Sequence, residues 1–258
     1  MICSRRIVGA GVLLALLALP QAASAYALKT TERGALVRWN AQRVPLRIDP
    51  SAAAVLDGGE LRRALTHAAE AWRGLPGVPD LEVEAGAPPP AGHEPRSGPT
   101  NGVYVPDPWP FDPTRLAVTL ATYDAHTGEM LDADILLNPE QPFALLDERD
   151  DARADHYDLA AVLTHELGHV LGLEESDVER STMWPRVRRS AVDQRTLEVD
   201  DEHGVIAVYQ DAFLAARRSP SWAGAHVAGT VARRGAPVGV VGIAVLMLWL
   251  RRRSSYHA

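Results

Sequence analysis

The sequence is almost without cysteine: Cys3 is the one thiol in 258 residues. A single cysteine this close to the amino terminus excludes a disulfide framework and a cysteine-based zinc site. A metal ion would therefore have to be held by histidine and carboxylate side chains. Lysine is equally scarce, since Lys29 is the one lysine among 26 basic residues, a bias that carries no functional information.

The chain also lacks an excess of positive charge. Its 26 basic and 33 acidic residues give a formal net charge of -7, so the composition offers no reason to expect a nucleic-acid partner. Hydrophobic residues make up 47% of the chain and charged residues 23%. This composition excludes disorder throughout and predicts a folded globular protein.

Both ends of the chain lack acidic residues entirely. Residues 1–25 carry two charges and residues 222–258 carry five, all of them arginine. The segment between the two ends holds 19 basic residues and all 33 acidic ones, a net charge of -14. The uneven charge divides the sequence into three parts that need separate explanations.

Residues 1–25 have the three parts of a secretory signal peptide. Two arginines precede an apolar run at residues 7–19, and residues 23–25 form an A-x-A cleavage site. The apolar run is too short to span a bilayer of about 30 Å. We therefore predict an exported protein whose mature chain begins near Tyr26, with the export route left open.

The carboxy-terminal tail is an apolar run followed by a positive cluster. Residues 236–250 carry no charge, and three arginines follow at 251–253. We predict a transmembrane or sorting segment over residues 235–258 with its arginines on the cytoplasmic side. The tail also resembles the myxobacterial type of sorting signal. A buried core helix is the alternative, because a helix of this length spans roughly 22 Å, which is short for a bilayer.

The segment between the ends is predicted to be one domain, residues 26–216, followed by a linker at 217–234. Alternating apolar runs predict five strands. They lie at residues 44–48, 81–84, 102–105, 116–123 and 130–137, the last two forming a hairpin. An apolar stripe predicts a helix over residues 60–75, and Asp158 is placed to cap a second helix that ends at Gly172.

Residues 165–169 read HELGH, the H-E-x-x-H pattern of zinc proteases. On a helix His165 and His169 project from one face a turn apart, so both imidazoles can reach one zinc ion at about 2.0–2.1 Å. Glu166 lies on the adjoining face, where it can take a proton from water without binding the metal. The run continues as HELGHVLGLEE, in which Gly172 lets the backbone turn back towards the metal.

This longer run resembles the metzincin pattern H-E-x-x-H-x-x-G-x-x-H at its two histidines, its glutamate and its glycine. Met183, within Ser-Thr-Met-Trp-Pro, resembles the methionine turn beneath the zinc site of metzincins, with the spacing of matrixins. Residues 127–138 and 200–209 resemble the strand pair above the cleft and the closing helix of matrixins.

The resemblance implies an α+β, metzincin-like zinc protease domain with a mixed twisted sheet, an active-site helix and a carboxy-terminal helix. It implies one catalytic Zn²⁺, with His165 and His169 as ligands and Glu166 as the general base. Gly172 and Met183 would have structural roles. The partner would be a protein or peptide substrate.

The third zinc ligand is the point at which the sequence departs from the family. Members carry His there, or Asp in some, whereas this chain has Glu175. A carboxylate oxygen binds zinc at about 2.0–2.2 Å, so we predict Glu175 as the ligand. Glu174, Asp177 and His203 are the competing candidates. A gluzincin-like ligand at Glu198 or Glu202 would leave the glycine and the methionine turn unexplained.

By this resemblance the chain is predicted to be an exported zinc endopeptidase, held in the cell envelope or at the cell surface by its tail, or secreted after the tail is cleaved. The alternative is a catalytically inactive metal-binding or peptide-recognition domain, which the intact Glu166 opposes. Calcium is a further candidate ion, but the acidic run at residues 147–155 matches no calcium-loop spacing and is better explained as a solvated loop.

Two expectations concern substrate binding. By the same resemblance, an extended peptide would lie antiparallel to the edge strand of the sheet, expected to be residues 130–137. The region after the methionine turn would wall the pocket for the residue that follows the cut bond, and it is rich in arginine: Arg186, Arg188, Arg189 and Arg195. An acidic preference at that position is the resulting hypothesis.

Overall fold

The structure is a computed structural model that describes residues 26–88, 101–147 and 155–218. The predicted signal peptide, the predicted tail and all of the predicted linker except residues 217–218 lie outside these ranges. Within the described ranges, no helix has the length and apolar character that crossing a membrane requires.

Five strands of the described part of the chain form one mixed sheet. They are β1 (Arg43–Ile48), β2 (Asp80–Val83), β3 (Asn101–Tyr104), β4 (Ala117–Tyr123) and β5 (Met130–Leu137). Their order is β2-β1-β3-β5-β4, with the first four parallel and β4 antiparallel to β5. Each predicted strand is present within one residue of its expected bounds. A second, two-stranded sheet pairs β6 (Phe143–Ala144) with β7 (Tyr157–Asp158).

The edge strand next to β5 is β4, so the expectation that residues 130–137 form the edge was wrong. β5 pairs with β3 on one side and with β4 on the other. Its residues are buried almost throughout, whereas most of β4 is only half-buried. Both strands of the hairpin show the same alternation of apolar and polar residues, so the sequence alone does not indicate which of them is central. The central strand is the one that pairs with a third strand, β3, which lies outside the hairpin.

In the described ranges four α-helices accompany the sheet: α1 (Pro50–Val55), α2 (Gly58–Ala71), α3 (Leu159–Val170) and α4 (Val199–Arg218). A short 3-10 helix (Asp193–Arg195) precedes α4. Leu46 of β1, Leu65 of α2 and Leu163 of α3 belong to one core cluster, so the helices and the sheet share a single hydrophobic core. Trp72 at the end of α2 donates from Nε1 to the carbonyl of Thr164 in α3 at 3.0 Å.

The end of α3 depends on a glycine. Gly172 has a φ of +94°, a conformation that side chains other than glycine rarely adopt. A Cβ at this position would also lie 2.2 Å from the carbonyl oxygen of Val37, inside van der Waals contact. The helix ends at Val170, two residues before the predicted end, and Gly172 turns the backbone so that Leu173 forms a bridge with Leu28 of the amino-terminal segment.

Candidate metal centre and cleft

The active-site helix α3 begins at a fully buried cap, Asp158. Its carboxylate accepts hydrogen bonds from the backbone N–H of Ala161 at 2.8 Å and of Leu146 at 3.0 Å. Arg195 completes the cap with a two-point ion pair, Nε to Oδ2 at 2.6 Å and Nη2 to Oδ1 at 2.5 Å. One carboxylate thus joins α3 to the strand pair β6–β7 and to the 3-10 helix.

The structure brings His165, His169 and Glu175 together at the end of α3. One ligand atom from each lies within 4.8 Å of the others, and the two histidine Nε2 atoms are 3.2 Å apart. His165 Nδ1 lies 2.8 Å from the carbonyl oxygen of Thr182, and His169 Nδ1 lies 2.9 Å from that of Leu173. A carbonyl only accepts, so both Nδ1 atoms carry the proton.

The donor set fits a catalytic zinc ion. With their protons on Nδ1, both imidazoles aim an Nε2 lone pair into the same space, where the two repel unless a cation lies between them. Two histidines and a carboxylate also form the three-ligand set of catalytic zinc sites, which leave a position open. His165, His169 and Glu175 are therefore the residues that would hold the ion.

Burial affects the protonation of these groups. It lowers the pKa of the His165 imidazole, and the neighbouring His169 lowers that pKa further. Burial raises the pKa of the Glu175 carboxyl, while His165 opposes this shift. Both shifts follow from the cost of placing charge in a poorly hydrated site, a cost that a divalent cation among the three groups would offset.

The competing ligand candidates lie elsewhere. Glu174 pairs with Lys29 at 2.7 Å, and Glu198 lies 3.4 Å from the guanidinium of Arg180. Asp177, His203 and Glu202 are not part of the cluster. In the described part of the chain, no other group of three His, Cys, Asp or Glu side chains is placed to share a metal ion.

Glu166 lies beside the three candidate ligands on the wall of the cleft. Its side chain is 5% exposed, and its Oε2 accepts a hydrogen bond from the hydroxyl of Thr119 at 2.6 Å. Thr119 belongs to β4, so the edge strand fixes the orientation of this carboxylate. Sequence reasoning missed Thr119, because the contact spans 47 residues and no motif links the two positions.

Met183 lies beneath the site and is fully buried. A Cβ at Gly168 would come within 2.2 Å of its sulfur, so the methionine packs directly against the α3 backbone. The turn is held by Asp201 of α4, whose carboxylate accepts from the backbone N–H of Met183 at 3.0 Å and of Thr182 at 2.8 Å. Since the Thr182 carbonyl accepts from His165, Asp201 orients a candidate ligand through the turn.

A cleft of about 800 Å³ runs past these residues. One wall is β4 with the residues just before it, and the other includes residues 185–187, which follow the methionine turn.

Of the four arginines in the region after the methionine turn, Arg186 alone lines the cleft. Arg188 pairs with Asp193, Arg189 lies over the ring of Tyr157, and Arg195 pairs with Asp158. The region after the methionine turn therefore contributes one arginine side chain to the cleft lining, and the other three contact protein partners.

Comparison with known sequences agrees with this geometry. The sequence model of the matrixin family matches residues 104–210, a stretch that contains β4, β5, α3 and the methionine turn. The mixed sheet with its helices and this match confirm the predicted α+β, metzincin-like fold. Over this stretch the chain is similar to matrixins, which are zinc metalloproteases.

One relative can be named. Over 54 residues the chain is 48% identical to Metalloendoproteinase 1-MMP of Arabidopsis thaliana. The match spans 20% of this chain and 14% of the plant protein. The similarity therefore concerns a segment of each protein.

Proposed function

We propose that the chain is an exported zinc endopeptidase that cleaves extended protein or peptide segments. The observation that carries the proposal is the grouping of His165, His169 and Glu175 beside Glu166, in a cleft bordered by the edge strand of a sheet. A site with three ligands and an adjacent carboxylate is suited to hydrolysis, whereas a structural zinc site is normally closed by four protein ligands.

The substrate would bind by adding a strand to β4. The side of β4 that faces away from β5 forms no strand pair in the described sheet, and Val118, Thr119 and Ala121 line the cleft. An extended peptide placed antiparallel to β4 would gain main-chain hydrogen bonds there. This places the peptide bond to be cut next to Thr119, and therefore next to Glu166.

Hydrolysis then depends on the orientation of Glu166. When bound, zinc supplies a Lewis acid that polarises the scissile carbonyl and lowers the pKa of a water molecule to about 7. The Thr119 hydroxyl holds Oε2 of Glu166, which leaves Oε1 to accept a proton. Glu166 next delivers that proton to the nitrogen of the departing amine, so the carboxylate acts as base and then as acid.

The proposal is tested on the purified full-length protein by measuring zinc content and casein hydrolysis together. We expect dipicolinate to remove both and added Zn²⁺ to restore both. Glu175→Ala should weaken zinc binding by more than about 100-fold, because losing even a hydrogen-bond partner behind a ligand commonly costs about 10- to 100-fold. Asp177→Ala is the matched control, since this exposed carboxylate lies two residues from Glu175 but outside the cluster and should leave zinc binding unchanged.

Two outcomes would contradict the proposal. Zinc-loaded wild-type protein that binds peptides without cutting them would instead define a recognition domain. Unchanged zinc affinity in Glu175→Ala would show that the third ligand is another residue.

We also propose that the domain of residues 26–216 is exported and held in the cell envelope or at the cell surface by the tail at residues 235–258. The support is the charge pattern of the sequence, together with the apolar run at residues 7–19 and the A-x-A site at residues 23–25. Amino-terminal sequencing of the mature protein should begin near Tyr26, and fractionation should recover it with membranes. A mature chain that keeps residues 1–25 would overturn the export proposal.

A further inference from the structure

Two arginines on the cleft stand out among the described residues because neither is in contact with a carboxylate. Arg115, just before β4, and Arg186, after the methionine turn, both line the cleft and are exposed. In the described part of the chain, neither forms an ion pair. We propose that Arg115 and Arg186 select substrates with acidic side chains on the carboxy-terminal side of the cut bond, an inference that rests on the proposed peptidase function.

The acidic side chains of the cleft are already committed to other partners. Glu174 pairs with Lys29, and Glu166 accepts from Thr119. Glu175 belongs to the candidate ligand set. Among the described residues that line the cleft, the two guanidinium groups are therefore free of contact ion pairs and can each bind a carboxylate of the substrate. Each presents donors in a planar fork that matches a carboxylate at two points.

The position of Arg115 indicates which part of the substrate it meets. Thr119, the contact of Glu166, marks the cut bond along β4. Arg115 lies four residues earlier, a displacement of about 13 Å along a strand. A peptide antiparallel to β4 runs in the opposite direction, so its residues after the cut extend towards Arg115. Arg186 reaches the cleft from the other wall, three residues after Met183.

Selection by these arginines is a short-range effect. The segment between the two ends of the chain carries 19 basic and 33 acidic residues, so its overall field repels acidic substrates. At physiological ionic strength charges are screened over about 8 Å, so this repulsion fades while contacts inside the cleft persist. The preference should therefore depend on whether the acidic residue contacts the arginines, and hence on its position relative to the cut.

The test compares peptides that differ by glutamate or glutamine at one position, scanned over four residues on each side of the cut. For wild-type protein we expect glutamate after the cut to raise kcat/KM about 10-fold over glutamine, the size expected for a charge-assisted hydrogen bond. The double variant Arg115→Gln/Arg186→Gln should lose this preference, measured as the ratio of kcat/KM between the glutamate and glutamine peptides of each pair. Arg188→Gln is the matched control, because Arg188 pairs with Asp193 outside the cleft.

Peptide affinity, measured without hydrolysis, distinguishes a failure of this inference from a failure of the proposed function. The same peptide pairs are titrated against Glu166→Gln protein with and without the two arginine substitutions, and Kd is read by fluorescence anisotropy. A glutamate preference in Kd that the substitutions remove confirms the inference even if no peptide is ever cut. The inference is overturned by equal values for glutamate and glutamine, by a preference on the amino-terminal side of the cut, or by a preference that survives in the double variant.

Discussion

Replacing Glu166 by glutamine is expected to lower kcat for peptide hydrolysis by about 10²- to 10⁴-fold, the usual contribution of a general acid–base group. Glutamine has the size of glutamate, and its side-chain oxygen can still accept from the Thr119 hydroxyl, which lies 2.6 Å from Oε2 in the native site. An amide cannot accept the proton, so the chemical step alone should be impaired. Zinc affinity should be unchanged, because Glu166 lies outside the candidate ligand set.

The measurement is kcat, KM and zinc content on the same preparation. Thr119→Val serves as the companion variant: it keeps the base but removes the hydrogen bond that orients it. We expect a smaller loss of kcat from Thr119→Val, with KM changing little in both variants. Substantial hydrolysis by Glu166→Gln would assign the base to another residue, and loss of zinc in that variant would make Glu166 a ligand.

Part of this site could be predicted from the sequence because the residues concerned lie close together in the chain. His165 and His169 are four residues apart on one helix, and helical geometry alone places them on one face. Gly172 follows within the same turn, where its positive φ redirects the chain. These relations depend on backbone geometry over a few residues, and the structure places all three residues as expected.

The relations that sequence reasoning missed are tertiary. Asp201 holds the methionine turn from 18 residues away, and Arg195 reaches Asp158 across 37 residues. An aspartate in the first turn of a helix is expected because its charge interacts favourably with the helix dipole. The sequence around Asp201 therefore did not indicate that its side chain binds another segment. The position of β4 at the edge has the same origin, since strand order is decided by partners that are distant in sequence.

The amino-terminal segment, which is distant in sequence from the site, also contacts it. The backbone N–H of Lys29 donates to the carbonyl of Gly172, and that of Glu174 donates to the carbonyl of Ala27, both at 2.9 Å. The Lys29 side chain adds its ion pair with Glu174. These contacts fix the chain immediately before Glu175, so the third candidate ligand depends on residues almost 150 positions earlier in the sequence.

Replacing Asp158 by alanine is expected to cost about 3–5 kcal/mol of the free energy of unfolding, the usual effect of removing one partner from a buried ion pair. The Asp158 side chain is fully buried, and that of Arg195 is 17% exposed. The substitution would leave the guanidinium with no carboxylate inside the protein. It would also remove the acceptor for the backbone N–H groups of Leu146 and Ala161.

Asp57 provides a matched control for the capping part of this loss. It caps α2 as Asp158 caps α3, accepting from the backbone N–H of Glu60 at the same distance of 2.8 Å, but it is exposed and forms no ion pair with any residue that the structure describes. Asp57→Ala should therefore cost about 1 kcal/mol, the usual value for a helix cap. Urea unfolding of both variants, followed by circular dichroism, measures the difference.

A double-mutant cycle separates the ion pair from the cap. Arg195→Met removes the charge and keeps much of the apolar stem, so the double variant Asp158→Ala/Arg195→Met no longer buries an unpaired guanidinium. We expect it to be more stable than Asp158→Ala alone, which would give a coupling energy of at least about 1 kcal/mol. If Asp158→Ala costs no more than Asp57→Ala, the pair adds nothing beyond capping and the active-site helix is held by its apolar contacts instead.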